Sequence, residues 1–225
     1  QYVHFFHYKY FRKLIQPTSI YYMYQSQWRP DKTVLHLFPH WNWQTDQAID
    51  MWAYYNNADE VELFVNGTSQ GVRKPEKNKY HAAWRVEFVP GTVELVSRKD
   101  GREVARKSIN TAGEPFAVRL IPDRESIQAD GRDLSYLTVE IVDKDGNLCP
   151  WAENEVSFVI EGAGFNAGVD NGSPISLEPF KADRRKAFYG KAMLIVQSDG
   201  REGAIDIEAS SPGLKNAAVS ITAKK

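Results

Sequence analysis

The sequence predicts an all-β protein: two consecutive antiparallel immunoglobulin-like β-sandwiches, preceded by a short helical or irregular N-terminal segment. Three observations predict this class. Apolar residues recur with a period of two from residue 33 onward, as expected of half-buried strands. Turn pairs such as Asn-Gly, Asp-Gly and Pro-Gly separate these stretches at regular spacing, which is typical of sandwiches. A break at residues 110–115 divides the strands into two series.

Residues 1–30 differ in character from everything that follows. The stretch QYVHFFHYKYFRKLIQ is dense in aromatic residues, and SIYYMYQSQW follows Pro17. Ser19 is a suitable helix cap, and Tyr21, Tyr24 (or Gln25) and Trp28 are spaced three or four residues apart. This spacing places their side chains on one helix face. We therefore expect a helix beginning near Ser19.

The first strand series predicts a sandwich domain over residues 31–112. In EVELFVNG, Val61, Leu63 and Val65 share one face, and the strand ends in the tight-turn pair Asn66-Gly67. Such a pair between alternating apolar stretches is a strong hairpin signal. Further strands are expected in the stretches VLHLF, AIDMWAYY, AWRVEF and TVELVSRKDGREVARKSI, the last as a hairpin about Asp100-Gly101.

The second strand series predicts another sandwich over residues 113–225. The segment NTAGEP at residues 110–115 interrupts the alternation and is the best linker candidate. Alternating apolar residues then resume, with turns expected at DKDGN (143–147) and SDG (198–200). The second half is not a sequence copy of the first.

Composition excludes several classes of function. The formal net charge is -1 and no Lys/Arg block stands out, so nucleic-acid binding is not expected. No apolar run is long enough to span a bilayer, and we expect no membrane partner. Cys149 is the single cysteine, which excludes an internal disulfide, and we expect it to be a buried apolar side chain. Because the chain begins at Gln1 rather than Met, we expect it to be a piece of a longer protein.

No metal or other cofactor is expected. His36 and His40 lie four residues apart, but the segment is predicted to be a strand followed by Pro39, so they do not share a helix face. Residues 143–147 begin like a calcium loop, but Asn154 stands where such a loop needs a bidentate glutamate. A β-turn is the better interpretation of this segment.

Several unusual sequence motifs occur in the same order as in one enzyme family, which the chain therefore resembles. Three motifs within residues 19–72 resemble the region after the catalytic barrel in β-galactosidase-like members of glycoside hydrolase family 2. They are YYMYQSQW, VLHLFPHWNW and DEVELFVNGTSQG. Two further motifs, IQADGRDLSYLTVEIVDKDGN and GVDNGSP, resemble the bacterial Ig-like, invasin-type domain that follows in those enzymes. The resemblance covers residues 19–225, and it identifies residues 1–30 as a remnant of the barrel's end.

The resemblance implies that the catalytic centre is elsewhere. Enzymes of this family are retaining and need two glutamates that flank the glycosidic bond, carried by barrel strands. Residues 1–30 contain no Glu or Asp, and the Asn154-Glu155 pair leads into an expected strand of the second sandwich. We therefore expect no catalytic residue here and no hydrolysis by this chain alone. The barrel and other domains of the parent chain are the expected partners, and a periplasmic or secreted bacterial location is expected.

Two functions remain open from sequence. The first is a non-catalytic accessory region of a retaining enzyme that hydrolyses terminal β-galactosides, which supports the catalytic barrel and shares in its substrate rim. The alternative is an independent carbohydrate-binding or adhesin-like Ig module without an enzymatic role. Carbohydrate is a candidate partner in both.

The cluster HLFPHWNW at residues 36–43 supplies the candidate substrate-binding residues His40, Trp41, Asn42 and Trp43. Indole faces can stack on the C–H face of a pyranose while the amide and imidazole bind its hydroxyls. Packing in the core or at a domain seam is the favoured interpretation, because indoles bury large areas. Strand alternation predicts Trp41 and Trp43 on one side and His40 and Asn42 on the other.

Overall fold

The computed structural model describes residues 19–225, which form two compact units, residues 19–111 and residues 112–225. The sequence-predicted all-β fold is confirmed: within the described residues, sixteen strands accompany one α-helix. The aromatic stretch before Ser19 lies outside the described residues. The division between the units falls inside the segment that the sequence marks as a linker.

The first unit contains the helix and seven strands. Their bounds are α1 (Ser19–Trp28), β1 (Leu35–Phe38), β2 (Ala48–Tyr55), β3 (Glu60–Val65), β4 (Thr68–Arg73), β5 (Ala82–Glu87), β6 (Thr92–Lys99) and β7 (Arg102–Asn110). The strands form a three-stranded sheet in the order β1-β2-β5 and a four-stranded sheet in the order β4-β3-β6-β7, with every pair antiparallel.

The alternation of apolar residues builds the core of this first sandwich. In β2, Ile49, Met51 and Ala53 are buried, and they join Leu63 and Leu95 of the other sheet in one cluster. Burying one face of each sheet against the other is the physical reason why a period of two is stable. The outward positions of β1 and β2 lie toward α1, which packs on this sheet. Residues 19–28, expected to lie with the end of a barrel, are therefore part of the first compact unit.

The expected tight turns adopt the backbone conformation that their residues favour. Asn66 and Gly67 have φ of 48° and 80°, and Asp100 and Gly101 have φ of 50° and 75°. Two successive positive φ values define the type I′ turn, whose twist matches that of the strands it joins. These two turns connect β3 to β4 and β6 to β7.

The second unit contains nine strands in two sheets. Their bounds are β8 (Ala117–Pro122), β9 (Ser126–Gln128), β10 (Leu134–Val142), β11 (Glu155–Gly162), β12 (Gly164–Asp170), β13 (Arg184–Lys186), β14 (Lys191–Ser198), β15 (Gly203–Ser210) and β16 (Ala217–Lys224). One sheet has the order β12-β14-β10-β8 and the other has the order β13-β11-β15-β16-β9. A single buried cluster includes Leu137 and Leu194 of the first sheet and Ile207 and Ile221 of the second.

One strand pair departs from the antiparallel expectation. The short strand β9 runs parallel to β16, with Ile127 opposite Ala223. After β8 the chain crosses from one sheet to the other and continues as β9 beside β16, which belongs to a distant part of the sequence. Local periodicity carries no information about such a pairing.

Candidate functional site

The candidate residues 40–43 lie in a loop rather than in a strand. Strand β1 ends at Phe38, which pairs with Trp52, and residues 39–47 contain no strand. Pro39 follows directly, and proline has no N–H to donate to a sheet ladder. The expected alternation of side chains is therefore wrong here, because it requires an extended strand.

Trp41 is a core residue. Its side chain is fully buried among Leu37, Ile49 and Val86, and its ring meets Phe88 edge to face with centroids 5.1 Å apart. The indole Nε1 donates a hydrogen bond to the carbonyl of Val89 at 3.1 Å. Because the ring is buried and its one donor is used, Trp41 presents no face to a sugar.

His40, Asn42 and Trp43 form a compact, partly exposed arrangement next to Trp41. The His40 and Trp43 rings stack with centroids 4.4 Å apart and planes 19° apart. The Trp43 Nε1 donates to the His40 carbonyl at 2.8 Å, and the backbone N–H of Asn42 donates to His40 Nδ1 at 3.3 Å. Burial lowers the pKa of His40, which favours the neutral imidazole that can accept this bond. Unlike Trp41, these three side chains are only half-buried.

An aromatic ladder covers the outer side of β1 and β2. His36 stacks on Tyr22 of α1 with centroids 4.0 Å apart, and on Phe38 with centroids 5.3 Å apart. Phe38 contacts Tyr54 at 4.9 Å, and Trp52 contacts Phe38 at 6.1 Å. Sequence reasoning missed this ladder, although the outward positions of these strands carry aromatic residues where an open sheet face would carry polar ones.

His36 is held as a neutral ring inside this ladder. Its Nε2 lies 3.2 Å from the Ser19 hydroxyl at the start of α1. Burial lowers the pKa of His36 to about 4, and the positive charge of Lys107 acts in the same direction. His36 therefore stabilises the packing of α1 on the sheet. It stacks on different aromatic partners from those of His40.

The remaining sequence candidates have structural roles in the second unit. Asp143 accepts hydrogen bonds from the backbone amides of Asp145, Asn147 and Gly113 at 2.8 to 3.0 Å, so its carboxylate closes its own turn. Cys149 is buried, and burial raises the pKa of its thiol to about 11.

Glu155 opens β11 and pairs in the sheet with Lys186 of β13. Within residues 19–225, no group of three or more His, Cys, Asp or Glu side chains is arranged to hold a metal ion.

Helix α1 presents aromatic side chains to solvent. Trp28 is 71% exposed, and its ring lies 4.6 Å from that of Tyr24. Tyr21, expected on the same face, is also exposed. Exposed aromatic rings on one helix are candidates for a contact region.

Two family models match the chain. Residues 118–220 match glycoside hydrolase family 2 C-terminal domain 5, and residues 46–105 match a domain of unknown function (DUF4982). A β-galactosidase of Bacteroides ovatus, BoGH2A, is 56% identical over 209 residues, which are 93% of this chain and 24% of that protein. The chain matches the C-terminal region of glycoside hydrolase family 2 enzymes.

Further bacterial relatives are similar to the chain in structure or in sequence. The crystal structure of a β-glycosidase from Bacteroides vulgatus superposes with a TM-score of 0.86 at 32% identity, over 92% of this chain and 27% of that one. A β-glucuronidase of Formosa agariphila is 30% identical over 91% of this chain and 21% of that protein. The chain thus spans about a quarter of the length of these bacterial relatives. No described helix is long and apolar enough to cross a membrane.

Proposed function

We propose that this chain is the non-catalytic accessory region of a retaining glycoside hydrolase that cleaves terminal β-galactosides. The observation that carries the proposal is the 56% identity to a β-galactosidase along nearly the whole chain, which corresponds to only 24% of that enzyme. A galactoside is favoured over a glucuronide because a β-glucuronidase and a putative β-glucuronidase of Formosa agariphila are only 30% and 35% identical, over 91% and 80% of the chain. Retaining hydrolysis needs two carboxylates about 5 Å apart on either side of the bond, and these belong to the catalytic barrel.

The first unit is the part proposed to contact the barrel. Trp28 leaves most of its indole in water, and Tyr24 and Tyr21 extend the same helix surface. Burying one such ring against a neighbouring domain contributes about 2 kcal/mol or more. The aromatic ladder beneath α1 fixes the helix rigidly on its sheet, so this surface is presented in one orientation.

The loop at residues 40–43 is proposed to share in the substrate rim. The different burial of these residues supports this proposal: Trp41 anchors the loop in the core, while His40, Asn42 and Trp43 are only half-buried. A neutral imidazole and an amide can each donate to or accept from sugar hydroxyls. These three residues would limit which substrates reach the barrel.

The test uses the complete enzyme that contains this region, assayed on an aryl β-galactoside and on lactose. Trp43→Ala is expected to raise KM about tenfold with little change in kcat, since it removes binding common to ground and transition states. Trp28→Ser is expected to lower the melting temperature without changing KM. Tyr80→Ser is the matched control, because Tyr80 is an exposed aromatic residue of the same unit outside both surfaces.

Two results would contradict the proposal. If removal of residues 19–225 left both the kinetics and the melting temperature of the barrel unchanged, the accessory role would be wrong. If Trp43→Ala behaved like Tyr80→Ser while Trp28→Ser destabilised the enzyme, the rim assignment would be wrong and the scaffold role would stand.

A further inference from the structure

One turn in the second unit has a tyrosine in a backbone conformation that is unfavourable for this residue type. Six non-glycine residues within residues 19–225 have positive φ, and five of them are Asn or Asp, whose short polar side chains tolerate this region. The sixth is Tyr189, with φ of 52°, followed by Gly190 with φ of 71°. The pair forms a type I′ turn, for which Asn-Gly is the preferred sequence. A tyrosine there strains the backbone, because its Cβ is disfavoured at positive φ.

Burial does not offset this strain. The Tyr189 side chain is 46% exposed, and Trp151 beside it is 57% exposed. The centroids of these two rings lie 6.2 Å apart, with the ring planes inclined by 50°. Phe188 supports Tyr189 from within the hairpin, edge to face at 4.5 Å. These contacts leave nearly half of the Tyr189 side chain in water, and strain that is retained at such a position points to a function.

The framework holds both rings rigidly. The Gly190 amide donates to the Ala152 carbonyl at 3.0 Å, and the Gly190 carbonyl accepts from the Ile141 amide at 2.8 Å. A Cβ on Gly190 would lie 2.2 Å from the carbonyl oxygen of Cys149, so only glycine fits this position. The turn that carries Tyr189 is therefore fastened to the turn that carries Trp151. Rings fixed in advance lose little conformational freedom when a ligand binds.

We propose that Trp151 and Tyr189 form a glycan-binding platform for neutral β-linked oligosaccharides. The C–H faces of two sugar rings would stack on the indole and the phenol, and the Tyr189 hydroxyl would bond a sugar hydroxyl. Charged side chains of Glu153 and Lys186, both exposed in the flanking segments, are available to further hydroxyls. A sugar fits better than a protein partner, because charged residues are depleted from the cores of protein interfaces.

This platform is separate from the proposed rim site. It belongs to the second compact unit, whereas His40 and Trp43 belong to the first. It would let the region hold a polysaccharide while the catalytic domain works on chain ends. The proposal therefore goes beyond the accessory role and does not depend on it.

The experiment titrates the 225-residue chain with lactose, galacto-oligosaccharides and cello-oligosaccharides by calorimetry, with saturation-transfer NMR on the same ligands. Saturable binding with a Kd on the order of 1 mM or tighter is expected for at least one oligosaccharide. Trp151→Ala and Tyr189→Asn should each weaken it about tenfold or more. Phe165→Ala is the matched control, because Phe165 is 45% exposed in the same unit, and it should leave binding unchanged.

Tyr189→Asn separates loss of binding from loss of folding. Asparagine suits the type I′ turn, so this variant should melt at the same temperature as the parent chain or higher while binding is lost. Absence of binding to every oligosaccharide would overturn the proposal, and so would binding that both variants retain. Binding lost in Trp43→Ala but not in these variants would also overturn it, as would self-association that Tyr189→Asn abolishes without any sugar binding.

Discussion

Replacing Trp41 with alanine tests whether the candidate cluster is built for packing. The indole is fully buried, and removing a buried tryptophan side chain typically costs about 3–5 kcal/mol. The substitution also removes the hydrogen bond to Val89, worth about 1 kcal/mol, and the edge-to-face contact with Phe88, worth about 0.5–1.5 kcal/mol. We therefore expect the free energy of unfolding of the first unit to fall by about 4–5 kcal/mol, near the upper end of the range for a buried tryptophan.

Urea unfolding followed by tryptophan fluorescence measures this loss. Five of the six tryptophans belong to the first unit and only Trp151 belongs to the second, so the fluorescence signal reports mainly on the unit that carries the substitution. Trp43→Ala is the matched comparison. It removes the stacking on His40 and the bond to its carbonyl from a half-buried site, so we expect a smaller loss of about 1–2 kcal/mol.

The relative sizes of the stability losses of Trp41→Ala and Trp43→Ala test the assignment of Trp41 to the core. A loss below about 1 kcal/mol for Trp41→Ala would refute the assignment of Trp41 to the core, because no fully buried indole is removed so cheaply. An equal loss for Trp43→Ala would refute the division of the cluster into one buried anchor and three half-buried residues. Far-ultraviolet circular dichroism of each variant in the absence of urea confirms that the starting state is folded.

Three further predictions concern groups away from this loop. His36 has a folded pKa of about 4 against about 6.5 unfolded, so the unfolded state takes up the proton first. The first unit should keep its full stability above pH 6.5 and lose about 2 kcal/mol between pH 6.5 and 4, and His36→Gln should flatten this profile in pH-dependent urea unfolding. Arg185 is buried beside Asp170 at 3.1 Å, so calorimetric melting of Arg185→Ala should show the second unit destabilised by about 3–5 kcal/mol, and the paired change Arg185→Met with Asp170→Asn should cost less. The Cys149 thiol, with its pKa raised to about 11 by burial, should react with a thiol reagent at pH 8 only after unfolding, whereas reaction at the rate of a free thiol in the folded chain would contradict its burial.

Local signals account for what the sequence could predict of the fold. Strands such as β2 and β3 follow from alternating apolar residues, and the Asn66-Gly67 and Asp100-Gly101 turns follow from residues that accept positive φ. Each of these features depends on neighbours in the chain. The parallel pairing of β9 with β16 depends on residues almost one hundred positions apart, and no local pattern encodes it.

The candidate site was only partly predictable for the same reason. Composition identified the segment 36–43, but the orientation of each ring depends on where β1 ends, and Pro39 ends it before the tryptophans. The turn at Tyr189 and Gly190 was not predicted because Tyr-Gly is a weak turn signal compared with Asn-Gly. The residue that made the turn hard to recognise is the same residue that gives the turn its exposed ring.

The tryptophans of this chain show how burial separates packing from recognition. Trp41 and Trp84 are buried, and each donates its Nε1 to a backbone carbonyl, of Val89 at 3.1 Å and of Gly71 at 2.8 Å. The apolar faces and the N–H group of such a ring both contact protein, so neither is accessible to a ligand. Trp28 and Trp151 keep more than half of their surface in water. Ligand or domain contacts should therefore be sought first at these two exposed rings, and a substitution at either ring should cost the folding of its own unit little.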